Sequence, residues 1–210
     1  MAQDARQTGK YHGYQSARSI QRRVFAIAIT LLVLEIKVPH SDAHLGEELL
    51  RLWPSYFAYA VSFIVIGAIW LNHHVIFDHI VRADHQLLLL NTLHLMFIAF
   101  LPFPTAVLSD ALHNRVDEAT ATAFYGGTLT VIGLLIIAIW YYAAHRHRLL
   151  TENISREYAA RFGRRLLVGP ASYAIATVIA LFLPWLALGV YVGINVFFLW
   201  PRRRESTSAG

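Results

Sequence analysis

The chain has 210 residues, of which 56% are hydrophobic and only 15% charged, and it contains no cysteine. A soluble globule carries about 25% charge, so this chain lacks the polar surface to cover one, and it has neither a disulfide framework nor a cysteine-based zinc site. The formal net charge is +5, but Lys and Arg sit in connections and at the ends, with no stripe interleaved with exposed aromatics. That pattern argues against a nucleic-acid partner and reads as a topology signal of a lipid bilayer protein.

Residues 1–16 are polar, with no apolar core ahead of a small-residue cleavage site. They are expected to form a disordered cytoplasmic tail rather than a secretory signal peptide. A bilayer core about 30 Å thick needs roughly 20 apolar residues in a helix. The first apolar run is Val24 to Val38, followed by Pro39. The second starts near Trp53-Pro54 and continues to about Phe77, with Pro54 suited to the first helical turn. The third runs from about Leu87 to Leu108 and holds Pro102 and Pro104 near its end. The fourth covers roughly Thr120 to Ala144. Between it and the last run, Thr151 to Arg165 is either a solvated connector or a short amphipathic helix with Ile154, Tyr158 and Phe162 on one face. The final stretch, Leu166 to Trp200, is too long for one crossing, and Pro184 divides it into two.

The expected fold is therefore an all-α integral membrane protein of six transmembrane helices. Residues 17–201 form the membrane domain, and residues 202–210 a basic cytoplasmic tail. With this threading, 15 of the 18 Lys and Arg residues fall on one side, including Arg82, Arg156, Arg161, Arg164 and Arg165. Only Lys37, Arg51 and Arg115 fall on the other. The positive-inside rule then puts both termini in the cytoplasm of a multi-pass cell-membrane protein. Trp53, Trp140, Tyr141, Tyr142 and Trp200 fall at span ends, as an aromatic belt would.

The first run is apolar all round except for Thr30, Glu35 and Lys37. Ile27, Thr30, Leu31 and Leu34 recur at helical spacing and form one stripe. Periodicity leaves two readings of that stripe open. It is either an ordinary packing face or a pore wall, in which symmetry-related copies form apolar rings that gate ions by dewetting. In the second region, Trp70, Asn72 and His73, with Asn91 and His94 on the next span, are candidates for a polar interhelix network. Eleven histidines raise the alternative of a histidine-dependent membrane metalloenzyme. His74 and Asp78 are one helical turn apart, but His74, His79 and His85 do not share that spacing, so no metal ligands and no cofactor are assigned. Neither a backbone-carbonyl potassium filter sequence nor a nucleotide-binding loop is present.

The run VFAIAITLLVLEIKVP, with WLNHH and the later LPFPTAVL, resembles the transmembrane protein 175 family, potassium channels of bacteria and lysosomes. The resemblance spans about Val24 to Trp200 and is most specific in the first three runs. It implies a homotetramer of six-helix subunits whose first helix lines the pore for potassium ions. By the same resemblance, Ile27 forms the constriction, Leu31 and Leu34 further apolar layers, and Thr30 the hydroxyl tied to ion selectivity. The family signature, Arg-x-x-x-Phe-Ser-Asp followed by Gly or Ala, is absent. Its positions here read Ile20, Gln21, Arg22 and Arg23, and its Arg falls on Ser16. In the family, the Ser and Asp tie the first helix to polar residues of the second and third. Their loss raises a second alternative, a membrane protein that does not conduct. Phe-Ser-Asp-Gly can be encoded TTC AGC GAC GGC. Reading one base early, after an A, gives ATT CAG CGA CGG, which is Ile-Gln-Arg-Arg. A local frame error, with one base gained before the motif and one lost after it, would produce residues 20–23 and restore the frame at Val24.

Overall fold

The computed structural model describes residues 20–39, 44–145, 149–151 and 154–199, with side chains to 196. The expected tails, Arg146, His147, Arg148 and Trp200 lie outside the described residues. Helix α1 covers residues 20–31 and tightens into a 3₁₀ turn over Leu32–Glu35. Its described part extends a turn upstream of the apolar run, because Ile20 and Gln21 are helical too. A short helix, α2 (Leu45–Arg51), precedes α3 (Trp53–His79). Pro54 occupies the first turn of α3, where a missing N–H costs nothing.

Helices α4 (His85–Phe100) and α5 (Pro102–Asn114) follow. Asp84 caps α4 by accepting from Leu87 N at 2.9 Å, and its second carboxylate oxygen accepts from the Tyr142 hydroxyl at 2.7 Å. One side chain thus starts α4 and ties it to the far end of α6 (Glu118–Ala144). Pro102, expected near a span end, instead opens α5 after a break at Leu101, where the proline ring removes an N–H donor. Amphipathic α7 (Arg156–Leu166) runs through Leu167 into α8 (Val168–Ala180). A tight turn, with Leu183 N donating to Ile179 O at 2.8 Å, leads to α9 (Pro184–Leu199).

Among the described residues, three stretches are long and apolar enough to cross a membrane: Trp53–His79, His85–Asn114 and Glu118–Ala144. Pro184–Val196 is a shorter apolar helix. At about 1.5 Å per residue, the 27 residues of α3 span about 40 Å, and the 13 of α8 only about 20 Å.

Helix α6 is the hub, packed against α4, α5, α8 and α9. Its most extensive packing is against α8, and small residues permit it. A Cβ at Gly133 would lie 2.9 Å from Pro170 Cβ and Cγ and 3.3 Å from Pro170 Cα. The proline ring has no rotamer to yield. Gly133→Ala gains up to about 1 kcal/mol of helix propensity but forces the helices apart, at a cost of about 1–3 kcal/mol. A lower melting temperature in detergent is the expected result, read by thermal-shift chromatography, and an unchanged or higher one would refute this packing.

The two ends of the bundle are closed differently. At one end Trp53 stacks on Trp185 at 6.1 Å, and Trp185 Nε1 donates to Glu118 at 2.9 Å. These contacts bring the starts of α3, α6 and α9 to one level. At the other end Val81 N donates to Leu149 O at 2.9 Å, and His79 packs on Tyr158 and Phe162 of α7. The ends of α3 and α6 and the start of α4 meet there.

Candidate functional site

Helix α1 has two apolar stripes, and packing decides between them. Gln21, Phe25, Ala28 and Leu32 face the bundle and are buried. Their spacing of four, three and four residues keeps them on one side of a helix. Ile27, Leu31 and Leu34 lie on the opposite side and are 56%, 38% and 73% exposed. Thr30 shares that exposed face. The stripe singled out by periodicity is therefore not a packing face within its own subunit. It is a continuous apolar surface with one hydroxyl in it.

The Thr30 hydroxyl lies 3.0 Å from Ala26 O and 2.9 Å from Ile27 O. A hydroxyl has one proton and two acceptor lone pairs. Its proton is held by its own helix, so it presents acceptor oxygen to whatever occupies this face.

Behind α1 is a buried polar layer. Phe25 meets the His73 ring at 5.4 Å. His73 Nε2 and Asn91 Oδ1 are 3.0 Å apart, joining α3 to α4. An amide oxygen only accepts, so this contact assigns the proton to Nε2. His94 stacks on His73 at 5.4 Å and is fully buried. The structure thus brings together His73, Asn91 and His94. It does not join Trp70 and Asn72 to them. Trp70 stacks on His74 of its own helix at 5.8 Å, and Asn72 donates to Ala68 O, one turn back, at 3.0 Å.

The signature positions split between these faces. Gln21 is 4% exposed, and its Nε2 has no hydrogen-bond partner among the described residues. Both ring nitrogens of His94 are buried as well, with the Ile132 backbone as their polar neighbour. Gln21 and Arg22 line a cavity of about 240 Å³ with Phe25, Trp70, His73 and His74. Ile20 is exposed.

A second set of interhelix bonds was not singled out from the sequence. Ser62 bonds to Thr105 at 2.8 Å and to Tyr125 at 3.0 Å, and Ser109 donates to Ser55 at 2.8 Å. Tyr173 donates to Asn195 at 2.9 Å. The signal was present: Ser55 and Ser62 are seven residues apart and Thr105 and Ser109 four, so each pair lies on one helix face. Among the described residues, no three His, Asp or Glu side chains form a group able to hold a metal ion.

The family model for the endosomal/lysosomal potassium channel TMEM175 matches residues 19–102, which include α1, the buried polar layer and the start of α5. A potassium channel of Chamaesiphon minutus is 38% identical over 179 residues, covering 83% of this chain and 88% of that one. The chain belongs to the TMEM175 family. A potassium channel of Streptomyces collinus is also 38% identical, over 75% of this chain and 77% of its own. The crystal structure of a lysosomal potassium-selective channel TMEM175 homolog from Chamaesiphon minutus superposes with a TM-score of 0.80 at 34% identity. It covers 89% of this chain and 96% of that one. TMEM175 proteins are membrane ion channels, not enzymes.

Proposed function

We propose that this TMEM175 chain is one subunit of a homotetrameric, potassium-permeable cation channel in the cell membrane, with α1 lining the pore. The observation that carries this reading is the exposed stripe of Ile27, Thr30, Leu31 and Leu34, on a helix whose other face is buried in its own bundle. Four such stripes around an axis make apolar rings at Ile27, Leu31 and Leu34. Such rings restrict ion passage by excluding water. A ring of Thr30 oxygens, with protons turned to their own backbone, offers a cation acceptor groups between them.

The topology that goes with this pore has six crossings and both termini cytoplasmic. Residues 17–201 form the channel domain. The meeting of α3, α6 and α9 starts at the Trp53–Trp185 level supports it, as does the Lys/Arg asymmetry. A second reading, assembly without conduction, is favoured by the buried Gln21 amide, which has no partner among the described residues, and by the cation at Arg22 in a cavity with two histidines.

Reconstituted into potassium-loaded liposomes, the tetramer is expected to release potassium when the gradient is opened. Thr30→Val, which keeps the shape but removes the oxygen, should lower potassium-over-sodium discrimination while preserving flux. A well-assembled tetramer that releases no potassium would favour the second reading.

A further inference from the structure

The α7 end of the bundle carries chemistry that ion conduction does not use. Helix α7 divides its residues sharply between two faces. Ala159, Phe162 and Gly163 face inward, where Trp140 Nε1 donates to Ala159 O at 3.1 Å and the Phe162 and Trp140 rings lie 4.5 Å apart. A Cβ at Gly163 would come within 3.1–3.2 Å of Trp140 and Tyr141, so glycine lets the helix seat directly under the end of α6. The other face is exposed and carries Arg156, Arg161, Arg164 and Arg165 against one acid, Glu157.

Between the last turn of α6 and the first turns of α7 lies a cleft of about 490 Å³. Trp140, Tyr141, Ala144 and Ala160 form apolar and aromatic walls, and Arg156 and His145 bring nitrogen donors. Among the described residues no carboxylate pairs with Arg156. A guanidinium presents five donors in a planar fork that matches a phosphate bidentately.

We propose that this cleft, with α7, binds the headgroup of an anionic phospholipid of the cytoplasmic leaflet. The phosphate sits on Arg156, and the glycerol and upper acyl chain run along Trp140, Tyr141 and the alanines. Two features favour a lipid over a soluble anion. The cleft opens against the end of a 27-residue apolar helix, at the depth of a headgroup. Its walls also offer apolar surface that a free phosphate has no use for. The basic face of α7 adds attraction toward an anionic leaflet, about fivefold in partitioning for each Arg near the surface. The inference rests on the membrane topology proposed above and is independent of conduction, which flux measurements read separately.

The test uses the full chain in mild detergent, with equimolar phosphatidylglycerol and phosphatidylcholine of matched acyl chains, and counts bound lipid by native mass spectrometry. Phosphatidylglycerol should be retained over phosphatidylcholine by about fivefold or more. Arg156→Gln should bring the two near parity. Ala160→Trp, which fills the cleft without changing its charge, should do the same. Equal retention by the unaltered chain would overturn the proposal, as would a preference that both variants keep. Displacement of phosphatidylglycerol by millimolar inorganic phosphate would reassign the site to a soluble anion and also overturn it.

Discussion

Ile27→Ala is expected to raise potassium flux about tenfold in the assembled channel and to lower discrimination against sodium. A ring of branched apolar side chains gives an ion no substitute for its hydration shell, so the narrowest ring sets the barrier. A tenfold gain needs that barrier lowered by only about 1.4 kcal/mol, a modest change for removing most of an isoleucine from each of four subunits. Ile27→Asn should also raise flux, by wetting the ring without widening it as much. Burial makes the prediction sharp. Truncating an isoleucine in a core usually costs about 2–5 kcal/mol, but Ile27 is 56% exposed and lies on the face of α1 turned away from its bundle. The subunit fold should therefore tolerate either change. If Ile27 faces lipid, neither variant alters flux or selectivity. If it packs against a neighbouring subunit, the tetramer weakens and flux falls. Liposome flux, read together with the assembly state on size-exclusion chromatography, separates these results.

Much of this architecture is legible from composition and spacing, and the parts that are not have identifiable causes. The long helices are legible because α3 and α6 are apolar over most of their 27 residues, with Pro54 in the first turn of α3 and Glu118 opening α6. The α8–α9 division follows from Pro184, which cannot continue a helix from Ile179 and Ala180. Helix α2 is not legible in the sequence because Gly46, Glu47 and Glu48 give it no apolar period. Which face of α1 is buried was not decidable either. Phe25, Ala28 and Leu32 make as good an apolar stripe as Ile27, Leu31 and Leu34, and only the partners supplied by α3 and α5 choose between them. The same limit applies behind α1. His73 and Asn72 are adjacent in sequence, yet about 100° of helical rotation sends one across to Asn91 and the other back to its own backbone. Periodicity orders residues on one helix and carries no information about the rotation of that helix against its neighbours.

The four-residue change Ile20→Phe, Gln21→Ser, Arg22→Asp and Arg23→Gly is expected to raise thermal stability, tetramer yield and flux together. Gln21 buries an amide donor that has no partner among the described residues, and a donor left so costs about 1–3 kcal/mol. Arg22 adds a group made only of donors to a cavity already lined by Trp70 and two histidines. Ser at 21 removes the buried amide donor, and Asp at 22 puts a carboxylate acceptor where the guanidinium offers only donors. Recovering 1–3 kcal/mol would lift the melting temperature by roughly 2–10 °C in a chain of this size. The gene offers an independent check, because the same frame argument extends upstream. Residues 16–23 can be written TCG GCT CGA AGC ATT CAG CGA CGG. From the second base this reads CGG CTC GAA GCA TTC AGC GAC GG, or Arg-Leu-Glu-Ala-Phe-Ser-Asp-Gly. It restores the complete signature, with its Arg at position 16. One base gained upstream of Ser16 and one lost before Val24 would account for all eight residues. Codons for residues 16–23 that do not carry this shifted reading would sink the frame explanation. A repaired chain no more stable than the present one would show that Gln21 and Arg22 have found their own accommodation in the assembled protein.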